Sequence, residues 1–282
     1  MTPAPFISVT RAAPQLSIIV PTFNRRATLE GCLAALTAQT FDDFEVIVAV
    51  DGSTDGTVAL LTSLERRSAH HLEVLALPHG GRSQARNAAL KAARGAVLVF
   101  CDDDVTFERE TLARHAAFHE VFKDSVAIGA VRYTDGALEF PSRPSWVNLT
   151  GMNSSVPRAA ALSVGGFDEA LLGWGGEDLE FGIRLAAAGL KFKRLEGASA
   201  THHAPRVRDP AKAHSAGYQA VMIAKKHGRS VAVQLGVDRR MLGAKALYLN
   251  PVGDLLLRGT SDYAFERAYL EGARAAWREL EA

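Results

Sequence analysis

Residues 96–104 read Ala96-Val97-Leu98-Val99-Phe100-Cys101-Asp102-Asp103-Asp104, an apolar run that ends in three consecutive carboxylates. A short run rich in aliphatic and aromatic residues, stopped by a polar cluster, reads as a strand buried on both faces. Adjacent ionised carboxylates at its end are costly unless a counter-charge is supplied. Ligands of open α/β sheets gather at the carboxyl ends of the strands, and hard oxygen donors at this spacing suit Mg2+ or Mn2+. On an extended backbone Asp102 and Asp104 point to one side and Asp103 to the other, so the first and third are expected to share a ligand. The competing reading is a surface acidic turn that caps a helix starting near Glu108.

Working outward, β-rich runs at 16–20, 44–50 and 72–77 precede this strand, and amphipathic runs at 27–39, 57–66 and 83–94 separate the four. The last of these helices stops at Gly95. Strands alternating with helices predict an α/β fold with a mainly parallel central sheet and helices on both faces. Downstream come an amphipathic segment at 108–122, a strand at 125–131 and a Gly/Pro/Ser-rich loop at 135–145. Then follow the segment 147–153, a helix from near Pro157, a helix within 173–188 that opens with glycines and acids, and strands at 190–195 and 198–203. From Pro205 the pattern turns helical and basic, with Arg206, Arg208, Lys212, Lys225, Lys226, Arg229, Arg239, Arg240 and Lys245. The expected division is a loose tail at 1–15, an α/β domain at 16–205 and a helical extension at 206–282.

The 282 residues, 48% of them hydrophobic, suffice for a full core. Thirty-two basic against thirty-one acidic side chains argue against a global attraction to nucleic acid. Cys32 and Cys101 lie in apolar surroundings and form neither a disulfide framework nor a zinc pattern, which fits core positions in a reducing, cytoplasmic compartment. The first fifteen residues carry prolines and no apolar h-region, so neither a signal peptide nor an anchor is expected there. A solvated helical face is the default for the basic extension, with peripheral contact to an anionic membrane as its alternative. The apolar stretch 242–257 suits packing or dimerisation.

Three loops accompany the acidic triplet. Pro21-Thr22-Phe23-Asn24-Arg25-Arg26 lacks the glycines that admit a dinucleotide pyrophosphate, which disfavours a nicotinamide enzyme. Asp51-Gly52-Ser53-Thr54-Asp55-Gly56 puts Asp51 at a strand end, where a carboxylate can accept hydrogen bonds from a base or ribose, with Asp55 as a helix cap. In Gly80-Gly81-Arg82-Ser83-Gln84-Ala85-Arg86-Asn87, Arg86 falls in the first helical turns, where it can face a diphosphate or brace the acidic cluster.

Taken in order and spacing, these four stretches resemble family 2 glycosyltransferases of the GT-A fold, over about residues 16–205. The resemblance implies a nucleotide-sugar site in which Pro21, Thr22, Asn24, Asp51, Arg86, Asp102 and Asp103 hold the nucleotide. Asp51 would stand near the uracil end, Asp102 would touch ribose or metal, and Asp104 would bind Mn2+ or Mg2+.

Gly173-Trp174-Gly175-Gly176-Glu177-Asp178-Leu179-Glu180-Phe181 resembles the corresponding segment of β-1,4-galactosyltransferases and chondroitin-type polymerases, and is the more specific motif. Its glycines allow close approach to a sugar, and Trp174 offers a flat apolar face. Trp174, Gly175, Gly176 and Glu177 are therefore expected on the acceptor or sugar side, together with Asn153 from Gly151-Met152-Asn153-Ser154-Ser155-Val156-Pro157-Arg158. Asp178 lands at a helix start, where the dipole is expected to favour its ionised form and fit it as a general base. The plainer alternative makes Glu177, Asp178 and Glu180 ordinary first-turn acids, Glu180 pairing with Arg184. His202 and His203 end a strand, where the resemblance implies a histidine that completes the metal site; neighbours on a strand point opposite ways, so only one of them is expected to bind, and the resemblance favours His202.

The reaction implied is metal-dependent, inverting transfer from a nucleotide diphosphate sugar, a UDP-sugar foremost, to a hydroxyl of a glycan or glycolipid. Two rivals are a nucleotidyltransferase acting on sugar phosphates, which would carry a Gly-rich basic loop after its first strand, and a non-catalytic sugar-binding module. A processive synthase would show membrane spans and a Gln-x-x-Arg-Trp motif, and this chain has neither.

Overall fold

The computed structural model describes residues 13–65, 71–205, 209–242 and 261–281, the side chains of 261–263 excepted. The tail before residue 13, most of 242–257, Arg66, Arg206, Arg208 and Lys245 lie outside the described residues. Strand β1 (Leu16–Thr22) is flanked by β2 (Phe44–Asp51) and β4 (Val97–Phe100), with β3 (His71–Leu77) beyond β2, and all these pairings are parallel. Helices α1 (Arg26–Thr37), α2 (Thr57–Glu65) and α3 (Arg82–Ala92) make the crossovers, as the alternating pattern predicts. Strand period decides the layers. Ile18 and Val20 pack with Leu29, Leu36 and Leu61 on one face, whereas Ile19 and Ile47 pack with Ala85, Ala89 and Leu90 on the other.

Past β4 the sheet becomes mixed and continues through β8 (Ser154–Pro157), β6 (Ser125–Tyr133), β9 (Lys191–His202) and β5 (Val105–Phe107), in the order β3-β2-β1-β4-β8-β6-β9-β5, with β7 (Leu138–Glu139) on the side of β6. Strand β5 (Val105–Phe107) and helix α4 (Thr111–Val121) follow the acidic triplet. Strand β8 (Ser154–Pro157) runs antiparallel to β4 and leads into α5 (Arg158–Ser163). Its Ser-Ser start has low strand propensity, and the sheet tolerates it because both hydroxyls find partners, Ser154 Oγ accepting the Thr150 N–H at 3.4 Å and Ser155 Oγ meeting buried side chains. His115 Nδ1 and His119 Nε2 lie 2.7 and 2.8 Å from Ser155 Oγ. Burial pushes these imidazoles down, His115 to about 4 and His119 to about 3, so both are neutral partners. The strands expected at 190–195 and 198–203 are one strand, β9 (Lys191–His202), whose register against β6 shifts between Ile128 and Ala130 while Gly197 takes a φ of 75°. A bulge of this kind breaks the sequence period without breaking the strand.

The extension begins with α7 (Pro210–His227), capped by Asp209, and continues through α8 (Arg229–Gln234) and α9 (Ser261–Glu279). Helices α7 and α9 cross closely at Gly217 and Gly272, where an added Cβ would come 1.9 Å from a backbone carbonyl oxygen of the facing helix. Helix α6 (Glu177–Ala187) carries the fully buried Glu180 into this region. Glu180 accepts from Arg184 Nη2 and Lys226 Nζ, each at 2.6 Å, and its Oε1 is 3.0 Å from His227 Nε2. The pairing with Arg184 expected from their spacing is thus one bond of a cluster that binds α7 to α6.

Burial pushes the Glu180 carboxyl up, but the bonds from Arg184, Lys226 and His227 outweigh it and hold the group below the usual glutamate range. Its contribution to stability is therefore present above the glutamate pKa of the unfolded chain and lost as pH falls through the lower folded value. A Glu180→Gln protein is expected to be about 3 kcal/mol less stable near neutrality, with the gap to the parent closing below about pH 4. Urea unfolding across a pH series measures both; equal stability at pH 7 would contradict the role assigned to the cluster.

Candidate active site at the carboxyl edge of the sheet

Parallel register brings the ends of β1, β2 and β4 side by side, so the loops after Thr22, Asp51 and Phe100 share one edge. The acidic triplet there forms a turn, with Val105 N–H donating to the Asp102 carbonyl at 3.1 Å, and is not extended as strand spacing had suggested. This corrects the expected alternation: Asp103 and Asp104 share one partner, and Asp102 goes to another. Arg25 Nη1 donates to Asp103 Oδ1 at 3.0 Å and Asp104 Oδ2 at 2.5 Å, while Thr22 Oγ1 donates to Asp103 Oδ2 at 2.7 Å. Burial outweighs these bonds and raises the Asp103 carboxyl.

The remaining oxygen of Asp104, Oδ1, faces His202 Nε2 at 3.5 Å. His202 Nδ1 lies 3.1 Å from the Ala204 carbonyl, which orients the ring. His203 turns the other way and meets Thr106 Oγ1 at 2.8 Å, so the geometry distinguishes the two histidines. A carboxylate oxygen and an imidazole nitrogen at this separation fit two adjacent ligands of a divalent cation. Among the described residues no group of three His, Cys, Asp or Glu side chains is gathered tightly enough to hold a metal ion alone. The protein thus offers a pair of donors, with Arg25 holding the second oxygen of Asp104.

Arg86 is the hub of the site. Its guanidinium is fully buried, yet it meets three carboxylates: Nη2 donates to Asp102 Oδ1 at 2.9 Å, and Nη1 donates to Asp178 Oδ1 at 3.0 Å and Glu177 Oε1 at 3.2 Å. Beneath it Phe167 lies 5.2 Å from the guanidinium carbon, and Phe100 and Phe181 pack against Phe167. The more exposed Arg82 donates to the same Glu177 oxygen at 3.0 Å. Burial pushes Asp102 and Glu177 up, but Arg86 and Arg82 outweigh it and hold both below the usual range.

Asp178 behaves differently. Burial comes first, Glu177 and Asp102 add to it, and Arg86 and Arg82 only partly offset them, so its carboxyl is pushed up to about 7. The expectation that the helix start would favour ionisation is overturned, because desolvation and two neighbouring acids prevail. Asp178 Oδ2 accepts the Gly151 N–H at 3.2 Å, and the side chain keeps 21% exposure. Gly151 is required by its surroundings, since a Cβ there would come 2.0 Å from Arg86 Nη2.

At the ends of β1 and β2, Pro21 continues β1 beside Ala49, and Asn24 sits at φ 51°. Asn24 Oδ1 accepts the Thr54 N–H at 2.8 Å, and its own N–H donates to Ser53 Oγ at 2.9 Å, stitching the first loop to the second. Asp51 is buried and accepts the N–H groups of Gly80 at 2.7 Å and Gly81 at 3.0 Å. Thr22, Asn24 and Asp51 therefore spend these bonds on shaping the loops. The exposed surface above them is the stacked pair Phe23 and His79, with ring centroids 4.3 Å apart.

On the opposite side the glycine loop stands against α7. Gly175 and Gly176 have φ of 77° and 101°, and Trp174, 44% exposed, donates its backbone N–H to Ser215 Oγ at 2.7 Å. Asn153, expected here, lies elsewhere. It is 1% exposed, its Nδ2 donates to the carbonyls of Ala130 and Ala198, and its Oδ1 is 2.9 Å from His115 Nε2, so its amide is committed to the core. Arg25, Arg82, His79, Gly151 and Ser215 were not singled out from the sequence. Arg25 and Arg82 sit inside motifs already noted, and charge beside the triplet was the available signal; nothing local marks Ser215, 41 residues from Trp174.

Removing the guanidinium of Arg86 would leave three carboxylates facing one another. Arg86→Met is expected to lower stability by about 3–5 kcal/mol, and Gly151→Ala to lower it as well by displacing the same side chain. Thermal unfolding monitored by circular dichroism tests this, and a Gly151→Ala protein as stable as the parent would show that the contact is not tight.

Residues 17–167 match the family model described as "Glycosyl transferase family 2", and residues 137–207 match "N-terminal domain of galactosyltransferase". Validoxylamine A glucosyltransferase of Streptomyces hygroscopicus subsp. limoneus is 32% identical over 232 residues, covering 66% of this chain and 51% of that protein. Chondroitin synthase of Escherichia coli is 27% identical over 252 residues, 72% of this chain and 36% of that protein. The chain thus spans about half the length of the validoxylamine A glucosyltransferases it matches. In fold it is similar to the mannosyltransferase PcManGT of Pyrobaculum calidifontis, solved with GDP-Man and Mn2+, at a TM-score of 0.67 and 20% identity over 93% of this chain and 86% of that one. GalNAc-T7, solved with UDP, GalNAc and Mn2+, gives a TM-score of 0.61 at 15% identity over 76% of this chain and 48% of that one. With a family model matching more than half its length, and a fold shared with these GT-A enzymes, the chain belongs to glycosyl transferase family 2.

Proposed function

We propose that the chain transfers a sugar from a nucleotide diphosphate sugar to a hydroxyl acceptor with inversion at the anomeric carbon. One observation carries this reading: Arg86 holds Asp102, at the donor edge of the sheet, and Asp178, at the start of the acceptor-side helix, within reach of a single guanidinium. Two substrates seated on either side would meet there, and alignment of this kind supplies much of the rate of a group transfer.

The Phe23–His79 pair and the loops shaped by Asn24 and Asp51 receive the nucleotide. A UDP-sugar is the donor we favour, in line with the UDP bound to GalNAc-T7. A glycan or glycolipid is the acceptor class we favour. Asp104 and His202, with Asp102 beside them, would hold Mn2+ or Mg2+, as Mn2+ accompanies PcManGT and GalNAc-T7. A divalent cation supplies neutralisation of a leaving diphosphate. Asp178 takes the proton of the acceptor hydroxyl while that oxygen bonds to the anomeric carbon from the face opposite the diphosphate. The bond from anomeric carbon to diphosphate oxygen breaks, and a nucleoside diphosphate leaves. A pKa near 7 leaves Asp178 basic enough to accept a proton and ionised in good part at neutral pH.

Asp178→Asn is expected to lose about 10²–10⁴-fold in turnover, with the dissociation constant for the nucleotide within about twofold of the parent because the side chain stands on the acceptor side. In the parent, turnover should rise with pH through about 7 as Asp178 sheds its proton, and the variant should lack that limb. Release of nucleoside diphosphate from a panel of UDP, GDP and dTDP sugars, with titration calorimetry for binding, reads all three. Pyrophosphate as the product would point instead to a nucleotidyltransferase, and undiminished turnover in Asp178→Asn would remove the base.

A further inference from the structure

The glycine loop that carries Trp174 is shaped by α7 of the extension. Ser215 Oγ receives the Trp174 N–H at 2.7 Å, and Gly173 and Gly176 lie so close to Gln219 that an added Cβ would meet it at 2.3 and 3.2 Å. The first turns of α7 therefore form the outer wall beside the indole. Lys212 lies three residues before Ser215, on the same side of the helix. Its side chain is exposed and its ammonium stands 5.4 Å from the centre of the Trp174 ring.

This cation differs from the others around the site. Arg25, Arg82, Arg86, Arg184 and Lys226 all have carboxylate partners. Lys212 has none among the described residues. Asp209, one turn before it, spends an oxygen on the Ala211 N–H as the helix cap, and Asp178 is turned towards Arg86 and Gly151. An ammonium beside an exposed aromatic face is held only weakly, and its four-carbon stem lets it follow a docked group.

We propose that the wall formed by Trp174 and Lys212 selects an anionic sugar as acceptor: the C–H face of the ring lies on the indole and its carboxylate or phosphate reaches the ammonium. This rests on the placement of the acceptor given above and adds its charge. An exposed ion pair is worth up to about 1 kcal/mol, which is about fivefold in affinity, and it weakens as salt rises.

The indole N–H resonance of Trp174, assigned by its loss in Trp174→Phe, reports binding directly. We would titrate the full chain with methyl β-D-glucuronide, glucose 6-phosphate, methyl β-D-glucoside and inorganic phosphate. One or both anionic sugars should shift the resonance at concentrations about three- to fivefold below the neutral glucoside, and which does so identifies carboxylate or phosphate. Lys212→Met, an exposed substitution, should bring the sugars within about twofold of one another, and 0.5 M salt should do the same to the parent. Inorganic phosphate alone should leave the resonance in place. A glucoside that binds as well as both anionic sugars, a preference that survives in Lys212→Met, or a resonance that no sugar moves would each overturn the inference. Release of nucleoside diphosphate from sugar nucleotides, followed in parallel, would show whether the transferase reading survives that failure.

Discussion

A single buried cation organises this molecule. Placing the Arg86 guanidinium out of water is unfavourable by itself, and placing Asp102, Glu177 and Asp178 together without it would be more so. Each is tolerable only in the presence of the other, so the loop after β4, the first turns of α3 and the start of α6 must assemble as one unit. The phenylalanines beneath exclude water and strengthen every charge interaction above them. Three acids divided among Arg86 and the half-exposed Arg82 are incompletely neutralised. The shortfall is carried by Asp178, whose proton affinity is raised into the range in which a side chain can exchange protons at neutral pH.

The same logic runs through the back of α6. Glu180, one turn beyond Glu177, is buried beneath Arg184, His227 and the more exposed Lys226, and it ties the helix that presents Asp178 to the helix that shapes the Trp174 loop. The extension is thus built into the surroundings of Asp178 and the Trp174 loop. One face of the first turn of α6 meets Arg86 and the other anchors the helix to α7.

Much of the frame was readable from residue patterns. Period-two and period-3.6 patterns found β1 to β4 and the helices between them, because each buries a continuous apolar face. The converging loops were legible because Gly, Asp and Asn at strand ends have few other uses. Strand β8 was missed: Ser154 and Ser155 look like loop, and the buried hydroxyl of Ser155 is met by His115 and His119 from a distant helix. Asn153 was misplaced for a related reason, since an amide suited to a sugar is equally suited to the carbonyls of Ala130 and Ala198. Hydrogen-bonding capacity is written in a side chain, whereas the partner that uses it is a property of the fold. The unequal protonation of Glu177 and Asp178, neighbours in sequence, was likewise beyond reach until Arg82 and Arg86 were located around them.

In the function proposed above, donor and acceptor chemistry meet at one guanidinium, with Asp104 and His202 at the donor end. Crystals grown with Mn2+ and UDP test it most directly through the anomalous signal of the metal. We expect the peak within bonding distance of Asp104 and His202, with Arg86 still joined to Asp102 and Asp178. A peak bound elsewhere, or an Asp178 carboxylate swung away from Arg86 and out of the cleft, would contradict it.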